Sequence, residues 1–334
     1  MKLIYGVKDR PKPGQLILFA LQQLLAILAA TIAVPMQVNS LTGSNMSISA
    51  ALFGAGAGTL VYLLFTKFKS PVFLGSSFAF IGSMAAAFAG AASMSMGYLG
   101  LLIGAVFAGL VYVVIAIAVK FAGVGWIDKI MPAVVIGPTV ALIGLSLSGS
   151  AVANALSTVT NDSGNYVMDL HAILCLICAL ATLAVTIVCS VYGKKMMKMI
   201  PFIIGILSGY VLATIFTAFS YIPGANEGLR IVDFTLFNSM QWVPDFTFVE
   251  AFIHNDFTNT GNVGAYIGTI AVAYIPVAFV VFAEHLADHK NISSIIEHDL
   301  LRDPGLSRTL LGDGIGSIVG AFFGGCPNTT YGES

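Results

Sequence analysis

The sequence predicts an all-α integral membrane protein, and three observations support this fold class. Hydrophobic residues make up 57% of the 334 residues and charged residues only 9%, whereas about a quarter of a soluble domain is charged. The apolar residues form blocks long enough to cross a hydrocarbon core of about 30 Å, which takes roughly 20 helical residues. The basic residues fall almost entirely on one side of the topology that these blocks define.

Nine spanning segments and the start of a tenth follow from the hydropathy pattern. Short loops join them, except for a long polar stretch at 222–262 after the seventh segment. A short interfacial piece anchored by Trp126 follows the fourth. We expect the segments at 16–38, 47–66, 71–90, 97–120, 131–152, 170–192, 200–221, 263–286 and 309–325, with the tenth beginning at Pro327.

The distribution of basic residues orients the chain. Of the 15 Lys and Arg residues, only Arg230 falls in a predicted outer loop; the others precede the first segment or follow the second, fourth, sixth or eighth. Cytoplasmic loops of membrane proteins carry such an excess. We therefore predict a multi-pass protein of the cytoplasmic membrane with a cytoplasmic N-terminus. The net charge of −1, without a basic run, predicts no nucleic-acid partner.

The motifs of enzymes and cofactor proteins are missing from the sequence. There is no G-x-x-x-x-G-K-[ST] loop for a nucleotide. Cys175 and Cys178 form a C-x-x-C within an apolar segment, where we expect them to pack as small hydrophobic residues. Asp313 lacks the G-x-G-D context of an intramembrane aspartyl protease, which stays a remote alternative. We expect a protein that is not an enzyme and that needs no cofactor or metal.

Two of the apolar segments are broken. The third opens with PVFLGSSFAFIGS from Pro71, and the tenth with GGCPNTTYGES from Gly324. At membrane depth the backbone leaves a helix only where protein or a cavity satisfies its polar groups. If the second half begins at the eighth segment, each broken element is the third segment of its half. Because the first half has seven segments, an odd number, the second half then crosses the membrane in the opposite orientation. Such a pair indicates the midplane site of a transporter.

Charged residues within a membrane usually mark function. Glu284 and Asp288 are four residues apart in the eighth segment and so share one helical face. Glu333 lies in the second broken element, and Asp313 stays unassigned. For His285 and His289, the sequence favours simple interfacial polarity beside Lys290.

Five blocks of sequence together resemble the nucleobase–ascorbate transporters, also called nucleobase:cation symporter-2. Within that family they are most similar to bacterial uracil permeases. The blocks are LQQLLAILAATIAVP, LGSSFAFI, AEHLADHKN, DLLRDPGLSRTLLGDG and PNTTYGE. Each block alone is weak, but their order is highly specific, and the resemblance covers essentially the whole chain.

The resemblance implies a fold of fourteen spans in two inverted seven-span repeats, with short antiparallel strands in spans three and ten that meet at the substrate. This chain would hold spans one to nine and the start of span ten. Spans one to four, at 1–125, and spans eight to ten, at 263–334, would belong to a core (transport) domain. Residues 126–225, with spans five to seven, would belong to a gate domain, and 226–262 would be the extracytoplasmic linker.

The resemblance also assigns the site. Its substrate-binding glutamates fall on Glu284 and Glu333, and its backbone contacts fall on Phe78 and Gly332. Tyr331 would help to enclose the substrate ring.

Three further positions complete the assignment. Ser77, beside Phe78, is included among the substrate-binding residues. Asp288 lies one turn after Glu284 and would relay or tune a coupling proton. The family's Gln-His pair in span one reads Gln22-Gln23 here, so that histidine's role falls on Gln23 or is lost.

The implied function is proton-coupled uptake of uracil across the bacterial cytoplasmic membrane. Carboxylates accept hydrogen bonds from the uracil N–H groups, and free backbone N–H groups donate to its carbonyls. A proton suits coupling because protonation removes charge that opposes movement across the bilayer. The expected partners are uracil, a proton and the lipid bilayer, and a homodimer is compatible with the sequence. A xanthine or purine:proton symporter is the main alternative.

The end of the sequence carries one more expectation. The chain stops at Ser334, directly after PNTTYGE. We expect it to be truncated at its C-terminus, and expect the 334 residues alone not to transport.

Overall fold

The computed structural model describes residues 9, 11–130, 132–146, 148–156, 159–160, 166–193, 197, 201–224, 226–235, 243–254 and 262–332. The chain divides into two compact units. The first consists of Met1–Ile143 and Val243–Ser334, and the second of Gly144–Trp242.

The described chain is mostly helical. Its helices are α1 Pro13–Thr42, α2 Ile48–Phe65, α3 Ile81–Ala89, α4 Met94–Ala122, α5 Ile127–Ile130, α6 Ala133–Ser146, α7 Ser148–Leu156, α8 Leu170–Tyr192, α9 Pro201–Ser220, α10 Thr247–Phe252, α11 Val263–Ile295 and α12 Leu306–Gly324. Single 3-10 turns lie at Phe78–Phe80 and Glu227–Leu229, and a π-helical turn at Leu301–Gly305. The strands are β1 Leu74–Ser76, β2 Val159–Thr160, β3 Tyr166–Val167 and β4 Asn328–Thr330.

Polar caps explain where several helices begin. The side chains of Ser47, Ser93, Asp169 and Asn262 each accept a hydrogen bond from a backbone N–H in the first turn of α2, α4, α8 and α11. This satisfies one of the four N–H groups that a helix start leaves without an intrahelical partner.

Four of the described helices, α2, α4, α8 and α11, are long and apolar enough to cross a membrane. Helices stand at each of the nine predicted spans, although the third is interrupted. The main difference is at α11, which continues to Ile295 rather than ending at 286. The polar run that suggested an end at the interface is instead helical and partly buried. Six of the basic residues on which the orientation rests lie outside the described residues: Lys2, Lys8, Arg10, Lys194, Lys195 and Lys198.

Glycines let α2 and α12 pack backbone to backbone in the first unit. A Cβ added at Gly58 would lie 2.6 Å from the carbonyl oxygen of Gly316, and one at Gly316 would lie 2.7 Å from that of Gly58. Small residues allow such close approach between membrane helices. In the second unit, Gly205 and Gly209 of α9 likewise contact Thr186 and Thr182 of α8.

The two broken elements meet in the first unit. Strands β1 and β4 pair antiparallel, with Leu74 opposite Thr330, Gly75 opposite Thr329 and Ser76 opposite Asn328. Strands β2 and β3 form a separate two-stranded antiparallel pair in the second unit. The strands expected in spans three and ten are therefore present, and they contact each other.

Candidate functional site

The β1–β4 pair brings both broken elements to one place. Two more backbone hydrogen bonds extend it: the Ser77 N–H donates to the Pro327 carbonyl at 2.9 Å, and the Tyr331 N–H donates to the Phe73 carbonyl at 3.1 Å. Thr59 of α2 holds β1 in position, since its hydroxyl accepts a hydrogen bond from the Leu74 N–H at 3.0 Å. The short strands thus have a rigid support.

A 3-10 turn starts directly after β1. It covers Phe78–Phe80, with Ser77 in an extended conformation before it. The first N–H groups of a helical turn have no partner within that turn, so they are available to an acceptor. Phe78 is half-buried. Its role as a backbone donor to the substrate stays a prediction.

Three buried hydroxyls in or beside the strands have no hydrogen-bond partner among the described residues. They belong to Ser77, an expected site residue, and to Ser76 and Thr329, which the sequence reasoning did not select. Buried polar groups in proteins are nearly always satisfied, so exceptions need an explanation such as a ligand or water. Such hydroxyls are suited to bind a polar substrate.

Tyr331 packs across the strand pair. Its ring lies against Gly75, where an added Cβ would be 2.5 Å from the ring carbon Cζ, and its hydroxyl donates to the Ser76 carbonyl at 2.8 Å. The side chain is 6% exposed. Tyr331 therefore closes the strand pair as a wall of the site.

Asp288 of α11 joins the second broken element. Its Oδ2 accepts a hydrogen bond from the Thr330 hydroxyl at 2.8 Å. A Cβ added at Gly332 would lie 2.7 Å from its Oδ1, so the glycine lets the backbone approach this carboxyl group. Three residues from two distant parts of the sequence thus meet, and two of them, Asp288 and Gly332, were expected at the site.

Glu284 is half-buried one turn before Asp288 on the same helix. Asp313 of α12 is a further acid in the core of the same compact unit. Glu333, the second expected glutamate, lies outside the described residues. Gln23 is half-buried in α1.

The two histidines of α11 are not interfacial, so that expectation is wrong. His285 and His289 are both fully buried and stack with ring centroids 4.0 Å apart. His285 Nδ1 is 2.7 Å from Asp313 Oδ2, and His289 Nε2 is 2.8 Å from the hydroxyl of Tyr62. His285 lies within the predicted span, and the extension of α11 beyond the predicted end at 286 carries His289 into the core as well.

The sequence does contain features from which the burial of this cluster could have been predicted. The two histidines are four residues apart and so share a face of the helix. Gly312 and Gly314 flank Asp313, and added Cβ atoms there would lie 3.0 Å from the Tyr62 ring and 2.8 Å from Tyr112 Cβ. The glycines therefore let α12 approach α2 and α4 closely enough to bury the acid.

Comparison with known proteins identifies the family of the chain. A family model described as the Permease family matches residues 14–334. The uracil permease of Bacillus caldolyticus is 38% identical over 334 residues, which is 100% of this chain and 68% of that protein. The chain belongs to the nucleobase–ascorbate transporter family. Transporters of this family are permeases, not enzymes, and this member is a multi-pass membrane protein.

Other relatives extend the comparison. The uracil permease of Bacillus subtilis (strain 168) is 36% identical over 334 residues, again 100% of the chain and 68% of the relative. The uracil permease of Escherichia coli (strain K12) is 33% identical over 333 residues, covering 98% of the chain and 66% of the relative. The chain thus spans about two thirds of the length of these relatives.

Proposed function

We propose that this nucleobase–ascorbate transporter takes up uracil together with a proton across a bacterial cytoplasmic membrane. The observation that carries the proposal is the antiparallel pairing of β1 and β4, which gathers backbone donors, buried hydroxyls and carboxyl groups in one unit. Relatives named uracil permease support uracil as the substrate. The expected N-terminal orientation and a homodimer are parts of the same proposal.

Recognition of uracil would divide between side chains and backbone. Glu284 and Glu333 accept hydrogen bonds from the ring N–H groups, since ionised carboxylates are acceptors only. The N–H groups at Phe78 and Gly332 donate to the ring carbonyls. Ser77 adds a hydroxyl, and Tyr331 supplies an aromatic wall.

Coupling to a proton would run through the acids of α11. Glu284 contacts the substrate, and Asp288 one turn later connects it to the second broken element through Thr330. A proton taken up by this pair lowers the charge that the loaded site carries through the low-dielectric membrane. Substrate and proton would therefore move together.

The domain assignment is a proposal too. Residues 1–125 and 263–334 form the transport core, residues 126–225 contribute to the gate, and 226–262 link the halves on the outer side. The β1–β4 pair and the acids of α11 all belong to the compact unit made of Met1–Ile143 and Val243–Ser334. This supports a core domain that contains the site.

Uptake into proteoliposomes tests the function. We expect the protein, in its full natural length, to accumulate radiolabelled uracil when the lumen is more alkaline than the medium, and to lose accumulation with a protonophore. Uracil in excess should compete with the label far better than xanthine. Uptake that ignores the pH gradient would overturn proton coupling, and equal competition by xanthine would overturn uracil selectivity.

A matched pair of variants locates the site. Glu284→Gln keeps the shape but loses a charge-assisted hydrogen bond worth about 1.5–3 kcal/mol, so uracil binding should weaken about 10- to 150-fold. Glu227→Gln makes the same change at an exposed turn and should bind as the wild type does. Equal affinity in both variants would exclude Glu284 from the site.

A further inference from the structure

The cluster around Asp313 is not used in the proposed uracil site. It joins α2, α4, α11 and α12 through buried polar side chains, and its acid is only 1% exposed. An ionised carboxylate is costly at such depth unless a partner compensates its charge. The hydrogen bonds of this cluster determine which of its atoms carry protons.

Thr309 limits the protonation states of His285. Its hydroxyl is 3.0 Å from the Leu306 carbonyl and 3.1 Å from His285 Nε2. A hydroxyl has one proton, so it donates to only one of these acceptors at a time. Both contacts exist in one geometry, and the switch between them requires only rotation of the hydroxyl hydrogen.

Two states follow from this choice. In the first, Thr309 donates to a bare His285 Nε2, while the Nδ1–H donates to the Asp313 carboxylate, and the pair carries a charge of −1. In the second, one added proton makes Nε2 a donor to the Thr309 oxygen, and the Thr309 hydroxyl turns to Leu306. The proton that Nδ1 already carried is then shared between His285 Nδ1 and Asp313 Oδ2, and the pair is neutral.

His289 does not compete for this proton. Its Nδ1 is 2.8 Å from the His285 carbonyl, which only accepts, so Nδ1 carries hydrogen. In the neutral ring Nε2 then accepts from Tyr62, whose hydroxyl accepts in turn from Ser70 at 2.7 Å. With the rings stacked 4.0 Å apart, a charge on one opposes a charge on the other. Asp313 attracts that charge to His285.

A small cavity gives Asp313 contact with the strand elements. Its lining includes Asp313, Tyr112, Phe80 and Asn328, and it is about large enough for one water molecule. The Tyr112 hydroxyl is buried and has no hydrogen-bond partner in the described part of the chain. The cavity therefore places the Asp313 carboxyl group beside Asn328 of β4 and Phe80 of the 3-10 turn.

We propose that Asp313 and His285 form a second proton-binding site, separate from Glu284 and Asp288, with Thr309 as its two-way hydrogen-bond switch. Among the described residues, the titratable groups that contact this pair or its neighbouring ring are Tyr62 from α2, Tyr112 from α4 and His289 from α11. Glu284 and Asp288 lie on the same helix, α11. The site binds one proton without any uracil present.

Nitrogen NMR of the full-length protein, labelled in histidine and held in lipid bilayers, tests this directly. Acidification should convert His285 Nε2 from unprotonated to protonated, while His289 keeps hydrogen on Nδ1. His285→Gln assigns the signal. The spectra are recorded without uracil, so a negative result for this proton site can be distinguished from a failure of the proposed uracil transport.

Variants separate this site from the substrate acids. Asp313→Asn should abolish the His285 change over the same pH range, whereas Asp288→Asn should retain it. Persistence in Asp313→Asn, or loss in Asp288→Asn, would overturn a separate site.

Thr309→Val provides the second test if Asp313→Asn does not fold. It removes the acceptor for the added N–H, so we expect the change to need about tenfold more protons. Thr309→Ser, which keeps the hydroxyl, should behave as the wild type does. An unchanged His285 in the wild-type protein, or equal behaviour of the Val and Ser variants, would refute the switch.

Discussion

Replacement of Gly58 by alanine perturbs the contact between α2 and α12 at a defined point. The new Cβ would lie 2.6 Å from the Gly316 carbonyl oxygen and 2.7 Å from Asn328 Nδ2, whereas ordinary contacts begin at 3.4 Å. The helices must therefore separate by about 0.8 Å, the difference between 3.4 and 2.6 Å. Overpacking of this kind costs about 1–3 kcal/mol. Alanine recovers about 0.5–1 kcal/mol of helix propensity, so we expect a net loss of up to about 2.5 kcal/mol.

Gly56→Ala is the matched control for this change. Gly56 lies in the same helix, but an added Cβ there meets nothing within 4 Å. We expect the control to be neutral or slightly stabilised, because only the propensity effect remains. Thermal and denaturant unfolding in lipid–detergent micelles measures the difference. Equal stability of the two variants would refute close packing of α2 on α12.

The Gly58 change should also reach the site. Asn328, which the new methyl group would contact, is the first residue of β4 and donates to the Gly54 carbonyl at 3.3 Å. Displacement of Asn328 should shift β4 against β1 and weaken uracil binding, while Gly56→Ala should bind normally. A Gly58→Ala variant that loses stability but keeps full affinity for uracil would show that the contact between α2 and α12 does not influence the binding site.

Three further predictions concern polar contacts. Thr330→Val removes a hydrogen bond to Asp288 and should weaken uracil binding about 10-fold or more, since bonds to charged groups contribute about 1.5–3 kcal/mol. Thr330→Ser keeps the hydroxyl and should bind uracil as the wild type does. Equal affinity of the two variants for uracil would contradict a role for this contact. Lys69→Met breaks a 2.6 Å ion pair with Asp303 in which both side chains are over 40% exposed. The free energy of unfolding should therefore fall by no more than about 1 kcal/mol. A larger loss would show that the pair is shielded from solvent. The Thr235 hydroxyl and N–H, and then Arg230, hold the pKa of Asp233 below its ordinary value of 3.8. These contacts should order the turn at Asp233–Thr235 at neutral pH, and the order should be lost as the pH falls through that lowered pKa. Hydrogen exchange of the Thr235 amide reports this loss, and Asp233→Asn, already uncharged, should show no such pH dependence; exchange unaffected by acid in the wild type would contradict it.

Local sequence features were enough to predict the broken elements. Pro71 and the Gly75–Ser77 run, like Pro327 and Gly332, group helix-breaking and polar residues together, and this grouping indicates an interruption at both points. Single prolines do not have this effect, since Pro35 and Pro276 lie within helices. That the two interruptions pair as strands came from the family resemblance rather than from periodicity. The register of Gly75 opposite Thr329 is a tertiary property.

The buried cluster was harder to predict for a physical reason. His285 and His289 stand where an apolar run gives way to polar residues, a pattern typical of an emerging helix end. Their burial depends on the close approach of α12, which the glycines beside Asp313 permit. Hydropathy measures composition along one helix and carries no information about which neighbouring helix supplies a buried partner.

Equilibrium binding of radiolabelled uracil to the purified full-length protein tests the central claim most directly. The measurement compares Gly75→Ala, whose methyl group would displace the Tyr331 ring across the strand pair, with Gly82→Ala, whose methyl group meets nothing within 4 Å. We predict that Gly75→Ala binds uracil at least about tenfold more weakly than Gly82→Ala, which should match the wild type. Equal uracil affinity in the two variants would contradict a substrate site built on the paired strands.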